Sequence, residues 1–411
     1  MKLSEAIRVR TREAGWSDEL VERLNESALS DRQVLNLLAL DMGEERTSGF
    51  LKLVEDNPDA PFGRLSLRFA RPTTELGIRA VPGEHGLGMQ EINIKTYGEV
   101  PDVWPYENDT PLGSRPTPGS YAPGSYSVFN KSEVWCDGVD ELYDRAIRER
   151  WAASTDIDWA GLEAQPDAIE RAICQICTTL GQHGLAEQKV ISKWEERIAY
   201  GFHDVKIFLA THVYESGRKF EVLRKRAYAN GGGMMQQGLG TLYRAWFGSL
   251  KSTEMILAMD VVYKTYEVVM LEALAELAPL ETDRQIFSKI LQDSQRHLEF
   301  GLGHLQYYMQ HHRDAGEFVN HFLTRAEAAL SDELHHSRGE WEALAVVFAS
   351  GLEKTEVGLE RLRKLREDQL RRYLQTLDSL AIDRVAKVNP GLFAIARDAN
   401  SVLATAQSTS S

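Results

Sequence analysis

The stretch that most limits what this chain can fold into runs from Ala186 to Leu223, AEQKVISKWEERIAYGFHDVKIFLATHVYESGRKFEVL, with an echo at Gln292–Gly301, QDSQRHLEFG. In both, charged and imidazole side chains recur three and four residues apart, so on a helix they share one face. His183 shares a face with Glu187, and His212 with Glu215 and Lys219. Asp260, Lys264 and Glu267 share a third face, and Asp293 and His297 a fourth. Chemistry-bearing residues at inward-facing spacing on four helical segments predict a helix bundle with a polar centre. The periodicity predicts core helices over residues 167–200, 203–228, 242–277 and 281–312.

Several motifs in these segments are shared with a known family. Glu187-Gln188 stands where that family has Gly-Glu-Gln; Lys206, Phe208, Ala210, Thr211, Glu215, Arg218, Glu221 and Val222 reproduce much of its second motif. Asp293, Arg296, His297, Phe300 and Gly301 keep the spacing of its last one, and the run from Trp151 to Trp159 looks like its entry segment. The chain thus resembles the ferritin-like non-haem di-iron oxygenases, and within them the branch of N-oxygenases that turn amines into nitro compounds. The likeness covers roughly residues 139–305. It implies a mainly α fold, a ferritin-like four-helix bundle. Each of two helices in such a bundle gives one Glu, and each of the other two a Glu-x-x-His pair, to a pair of metal ions.

The ligand positions depart from that pattern. Where the family has its first Glu-x-x-His, this chain has Ser216 and Lys219; where it has its second, Ser294 and His297. The remaining Glu position falls on Lys264, or on Glu267 if the third helix slips by one turn. Glu187 and His297 are left as the family's metal ligands, with Glu267 a possible third. Glu215, Arg218, Asp293 and Arg296 take the surrounding layer. Removing two dications from a nest of carboxylates would leave uncompensated buried charge, at a cost of several kcal/mol per ion. Two serines in place of Glu, and two lysines, remove that charge and add ammonium groups. The expectation is a Glu187 carboxylate bridged by Lys219 and Lys264 in a core without a cofactor, with iron or manganese bound only if the register is otherwise. A replacement site drawn from the other acids and histidines on these faces, His183 with Glu187, His212 with Glu215 and Lys219, or Asp260 with Lys264 and Glu267, is the further possibility.

Around this bundle, residues 1–56 read as short helices, with Ser17 and Ser30 as N-caps. Ten of the thirteen prolines lie between Pro58 and Pro123, a density that forbids long helices. Residues 57–138 therefore read as an extended arm, its strand-like pieces at RLSLRFA and EINIKTY, and its aromatics Trp104, Tyr106, Tyr121, Tyr126 and Phe129 suit it to lie on the bundle or on a partner. The bundle occupies 139–312, outer C-terminal helices 313–403, and a disordered Ser/Thr-rich tail 404–411. Cys136, Cys174 and Cys177 make no disulfide framework, and the Cys174-x-x-Cys177 pair sits on an apolar helical stripe.

A formal net charge of −14 argues against nucleic acid or an anionic membrane as partner. No apolar run approaches a membrane span, and no apolar leader opens the chain, so the expected setting is cytoplasmic. Three functions are open: a non-catalytic structural or regulatory subunit in a homo- or hetero-oligomer, beside an intact di-iron paralogue; an O2-dependent oxidoreductase with an altered metal site or none; or a small-molecule binding protein using the emptied core.

Overall fold

The computed structural model describes residues 3–27, 29–40, 43–56, 78–95, 98–104, 110–117, 119 and 126–397. The chain divides into two compact units, Met1–Leu76 and Gly77–Ser411. The first unit holds helices α1 (Glu5–Glu13), α2 (Asp18–Glu26), α3 (Asp31–Ala39) and α4 (Glu44–Asp56). They close over a small core of their own that includes Leu20, Leu24, Val34, Leu37 and Leu51. Ser17 caps α2, its hydroxyl accepting the Leu20 N–H at 3.3 Å, which satisfies one of the donors a helix start leaves unpaired.

The second unit is mainly α with a four-helix core. After a short turn α5 (Met89–Ile92) and α6 (Val139–Arg148), two long helices α7 (Asp167–Glu195) and α8 (His203–Ala229) form one hairpin. The second hairpin joins α11 (Lys264–Leu277) to α12 (Glu281–His311), and α8 meets α12 across the middle. Helices α13 (Ala315–His336), α14 (Arg338–Ala349), α15 (Thr355–Ser379) and α16 (Pro390–Arg397) wrap the outside, with α14 on α7 and α15 on α11. This second layer explains why α7 and α11 are buried on most of their surface: each is covered by its hairpin partner and by an outer helix.

The third core helix differs from the expected continuous rod. It is built of α9 (Thr241–Phe247), α10 (Ser252–Ile256), a π-helical stretch Leu257–Tyr263, and α11. Glu333 of α13 accepts the backbone N–H groups of Gly240, Thr241 and Leu242, which stops the chain and restarts it as α9. Among the outer helices, Ser337 separates α13 from α14.

Among its described residues, 91–95, EINIKTY forms no strand; the helical turn Met89–Ile92 ends in its first two residues, and Asp144 ties down the start of that turn by accepting the Met89 N–H at 2.7 Å. RLSLRFA, Tyr106, Tyr121 and the 404–411 tail lie outside the described residues. Among the described residues the arm makes only isolated β-bridges, such as Val128 with Ile198. Its Trp104 is buried against Gly201, where a Cβ would fall 1.9 Å from the indole. No helix among the described residues is long and apolar enough to cross a membrane.

Candidate metal centre

Each core helix places its residues by the same three-and-four spacing. From α7 come His183 and Glu187; from α8, His212, Glu215, Ser216, Arg218 and Lys219. The π stretch and α11 give Asp260, Tyr263, Lys264 and Glu267, and α12 gives Asp293, Ser294, Arg296 and His297. All of these are buried. Lys264 and Glu267 both face the centre, so the third helix brings in a lysine and a carboxylate together rather than one in place of the other.

The lysines sit between two carboxylates. Glu187 Oε1 receives Lys219 Nζ at 3.0 Å and Lys264 Nζ at 2.9 Å, while Ser216 donates to Oε2 at 3.1 Å. Glu267 takes Lys264 at 2.5 Å, the Ser294 hydroxyl at 3.0 Å, the Tyr263 hydroxyl at 2.8 Å, and Lys219 as well. Burial alone would raise the Glu267 carboxyl, but the two ammonium groups outweigh it and hold that carboxyl well below the ordinary range. Burial likewise works against a charged Lys264, and Glu187 and Glu267 overcome it, so its ammonium is held more firmly than in water. Two cations and two anions here balance, each bonded to the others, which is the condition for charge to persist without water.

Beside this group lies a second one whose polar atoms are not all bonded. The rings of His212 and His297 stack with centroids 3.4 Å apart. Burial first, then the nearby cationic groups, pushes both imidazoles well below their ordinary pKa, so both are neutral, the form that binds metal. Glu215 accepts from His297 Nε2 at 2.8 Å, which fixes the tautomer and leaves Nδ1 as a lone-pair donor. That Nδ1, both ring nitrogens of His212, and both carboxylate oxygens of Asp260 are buried without a hydrogen-bond partner. Buried polar atoms are rarely left so.

Ligand atoms of Glu187, His212 and His297 all lie within 4.8 Å of one another. Two imidazoles and a carboxylate, with unpartnered donors converging, fit a transition-metal ion of the iron or manganese kind. This corrects the expectation of a core without a cofactor. Spacing had put His212 on the face of Glu215 and Lys219, but the family pattern gave it no role. Its signal was position alone: four residues before Ser216, at the depth of His297.

The surrounding layer is a closed ion network. Arg218 binds Asp293 at 2.7 Å, and Arg296 binds Glu215 at 2.7 Å and Asp293 at 2.5 Å. Trp151 donates its indole N–H to Asp293 at 3.0 Å and lies under the Arg218 guanidinium. Arg296 reaches outward to the half-exposed Glu149 at 2.7 Å. Burial pushes the Asp293 carboxyl up to about 6 despite both arginines. The network holds Glu215, and through it the orientation of His297.

No family model matches the sequence, and no curated protein matches it. Among solved structures, one variant of an R2-like ligand-binding oxidase with aerobically reconstituted Mn/Fe cofactor is 16% identical, covering 58% of this chain and 91% of its own, with a TM-score of 0.38. A second variant of it, likewise with Mn/Fe, is 15% identical, covering 62% and 98%, with a TM-score of 0.37. The Mn/Fe cofactor is a property of those proteins. For this chain the four-helix core rests on its own two hairpins and the polar centre they enclose.

Proposed function

We propose that the protein is an O2-dependent oxidoreductase acting on a small organic molecule through a single metal ion in an altered ferritin-like centre. The observation that carries this reading is the buried Glu187, His212 and His297 cluster with its unpartnered nitrogens. Two histidines and a carboxylate are the donor set of many non-haem iron oxygenases. A bound iron or manganese ion would supply the one-electron and O2 chemistry that side chains lack. The chain's own part is to hold the imidazoles neutral, to fix His297 through Glu215, and to keep bulk water out. Lys219 and Lys264 neutralise Glu187 and Glu267, so the space of a second ion is taken by ammonium groups. The amine N-oxygenase likeness of the sequence makes amines the first substrates to try. A cytoplasmic, oligomeric setting belongs to the same proposal.

The test is O2 uptake on admitting air to protein loaded anaerobically with ferrous iron, against the His212→Ala/His297→Ala double variant. Uptake by the native protein above the free-iron control, and none by the variant, supports the reading. No uptake by metal-loaded native protein favours the second reading, a non-catalytic subunit beside an intact di-iron paralogue. The specific observation for that alternative is the lysine pairing, which engages two carboxylates that would otherwise face the ion. Binding of a small molecule in an emptied core has less room, since the lysine side chains lie between Glu187 and Glu267.

A further inference from the structure

Glu187, His212 and His297 are at most 2% exposed, so an ion reaches them only where part of the structure gives way. Most of the wall around them is helix packed on helix. On the flank of α7 that carries His183 it is not: residues 231–239, between α8 and α9, belong to no helix or strand. Among the described residues no backbone–backbone hydrogen bond holds this segment. Side chains of α7 hold it instead. Thr178 accepts the Met235 N–H at 2.7 Å, and Gln182 accepts the Gly238 N–H at 3.0 Å. Gln175 accepts the Gln236 N–H at 3.1 Å and donates to the Gln236 carbonyl at 2.8 Å. Gly231 and Gly240 bound the segment with φ of +81° and +73°, the left-handed region that favours glycine. A strap fastened by side-chain amides can lift without breaking a helix, and segments of this kind open at the low end of a protein's stability range.

Against the strap is a crevice of about 300 Å³, lined by Gln236 to Leu239, by the α13–α14 junction, and by Gln175 and Thr179 of α7. That volume is at the lower end of what small-molecule sites occupy. Its lining of carboxylate, hydroxyl and amide oxygen suits a hydrated cation. One turn along α7 from Thr179 is His183, which keeps 5% of its surface exposed where His212 keeps none. Tyr243 of α9 stands edge-on to His183, their ring centroids 5.9 Å apart. The Tyr263 hydroxyl then joins His183 Nδ1, at 2.6 Å, to Glu267, at 2.8 Å, on the border of the centre. Tyr243 Oη and Trp246 Nε1, on the same flank, are buried without a hydrogen-bond partner, so polar atoms are free there to meet a hydrated guest. The larger groove on α12, lined by Ser288 and Gln292, leads elsewhere. Behind Gln292 stand Glu149 and the guanidinium groups of Arg296 and Arg218, whose charge repels a metal ion.

We propose that the crevice between α7, the strap and the α13–α14 junction is the entrance to the metal centre: a binding and transit site for hydrated divalent cations and small polar substrates, which residues 231–239 lift to admit. This rests on the metal-centred reading above and adds the route by which the centre is filled.

The experiment uses the full-length protein, whose three cysteines are all buried, so that a thiol introduced in the crevice is the one to react. Thr179→Cys is treated with benzyl methanethiosulfonate, and uptake of manganese(II) is followed by loss of the free ion's electron paramagnetic resonance signal. Ser288→Cys, in the larger groove, is treated alike as the control. The expected result is that the Thr179→Cys thiol reacts and that manganese uptake then slows at least about tenfold, reaching the native stoichiometry in the end. The modified Ser288→Cys should load at the native rate. A Thr179→Cys thiol that stays unreactive, or a modified Thr179→Cys that loads as fast as native protein, overturns the entrance and leaves the metal-centred function standing. Failure of native protein to take up any manganese overturns the two together. If Thr179→Cys does not fold, Gly339→Phe decides by the same uptake measurement. Gly339 lines the crevice, and a Cβ there would stand in ordinary contact with Gln175 at 3.6 Å, so the ring fills the passage from α14.

Discussion

At the scale of single residues, the centre is two adjoining groups with opposite electrostatic logic. Around Glu187 and Glu267 the charges are paired and bonded, and removing one partner leaves the others stranded. Lys264→Met should therefore destabilise the second unit by about 3–5 kcal/mol. Of the eight tryptophans only Trp16 lies outside that unit, so urea unfolding followed by tryptophan fluorescence reads it; a loss below about 1 kcal/mol would show that the ion pairs contribute little. Lys264→Met combined with Glu267→Gln should cost less than the two single changes added, because each removes the other's stranded charge. Around His212 and His297 the ring nitrogens are unpartnered, and there stability should respond to added metal instead.

A separate buried imidazole gives a pH prediction free of the metal. His304 bonds the Trp135 carbonyl at 2.9 Å and the Thr253 hydroxyl at 3.0 Å, and burial pushes its pKa from 6.5 down to about 4. As pH falls from 6.5 towards 4, the unfolded chain takes up a proton that the folded chain refuses, so His304's contribution to stability is lost across that window. His304→Gln keeps a hydrogen-bonding group without the titration. The difference in urea midpoint between variant and native protein should shift in the variant's favour between pH 6.5 and 4; a constant difference would contradict this.

At the scale of elements, the long helices were legible because their faces repeat every three to four residues over more than twenty residues, as in α7, α8 and α12. Over its described residues the strand reading of EINIKTY failed because alternation cannot see Asp144, fifty-odd positions on, capping the helical turn Met89–Ile92 that runs into its first two residues. The π-stretch left no mark either: LAMDVVY contains no proline or glycine, and its extra residue is set by packing against α12 and α13. So the spacing could ask whether Lys264 or Glu267 faces the core but could not show that both do. Close approach between helices was similarly hidden. A Cβ on Gly184 would lie 2.8 Å from the Ser216 carbonyl oxygen, in the backbone of α8. Gly184→Ala should push α7 from α8 and cost about 1–3 kcal/mol in the same urea assay; a neutral change would mean that the hairpin is free to yield.

At the scale of the whole molecule, the two units have separate cores. The first is small, and a core of that size is marginal on its own. The second contains every residue of the metal centre. A chain starting at Gly77 should therefore keep its helical circular-dichroism signal and its metal stoichiometry. Loss of metal from a folded truncation would show that the first unit takes part in the centre.

The central claim is that the core of this chain holds one metal ion on imidazole nitrogen and carboxylate oxygen, beside lysines that fill the place of another. The most direct measurement is metal content by mass spectrometry of protein produced with iron and manganese supplied, alongside His212→Ala and His297→Ala. The account predicts about one ion per chain in native protein and little in either variant. Less than about a tenth of an ion in native protein, or about two ions that survive both substitutions, would contradict it.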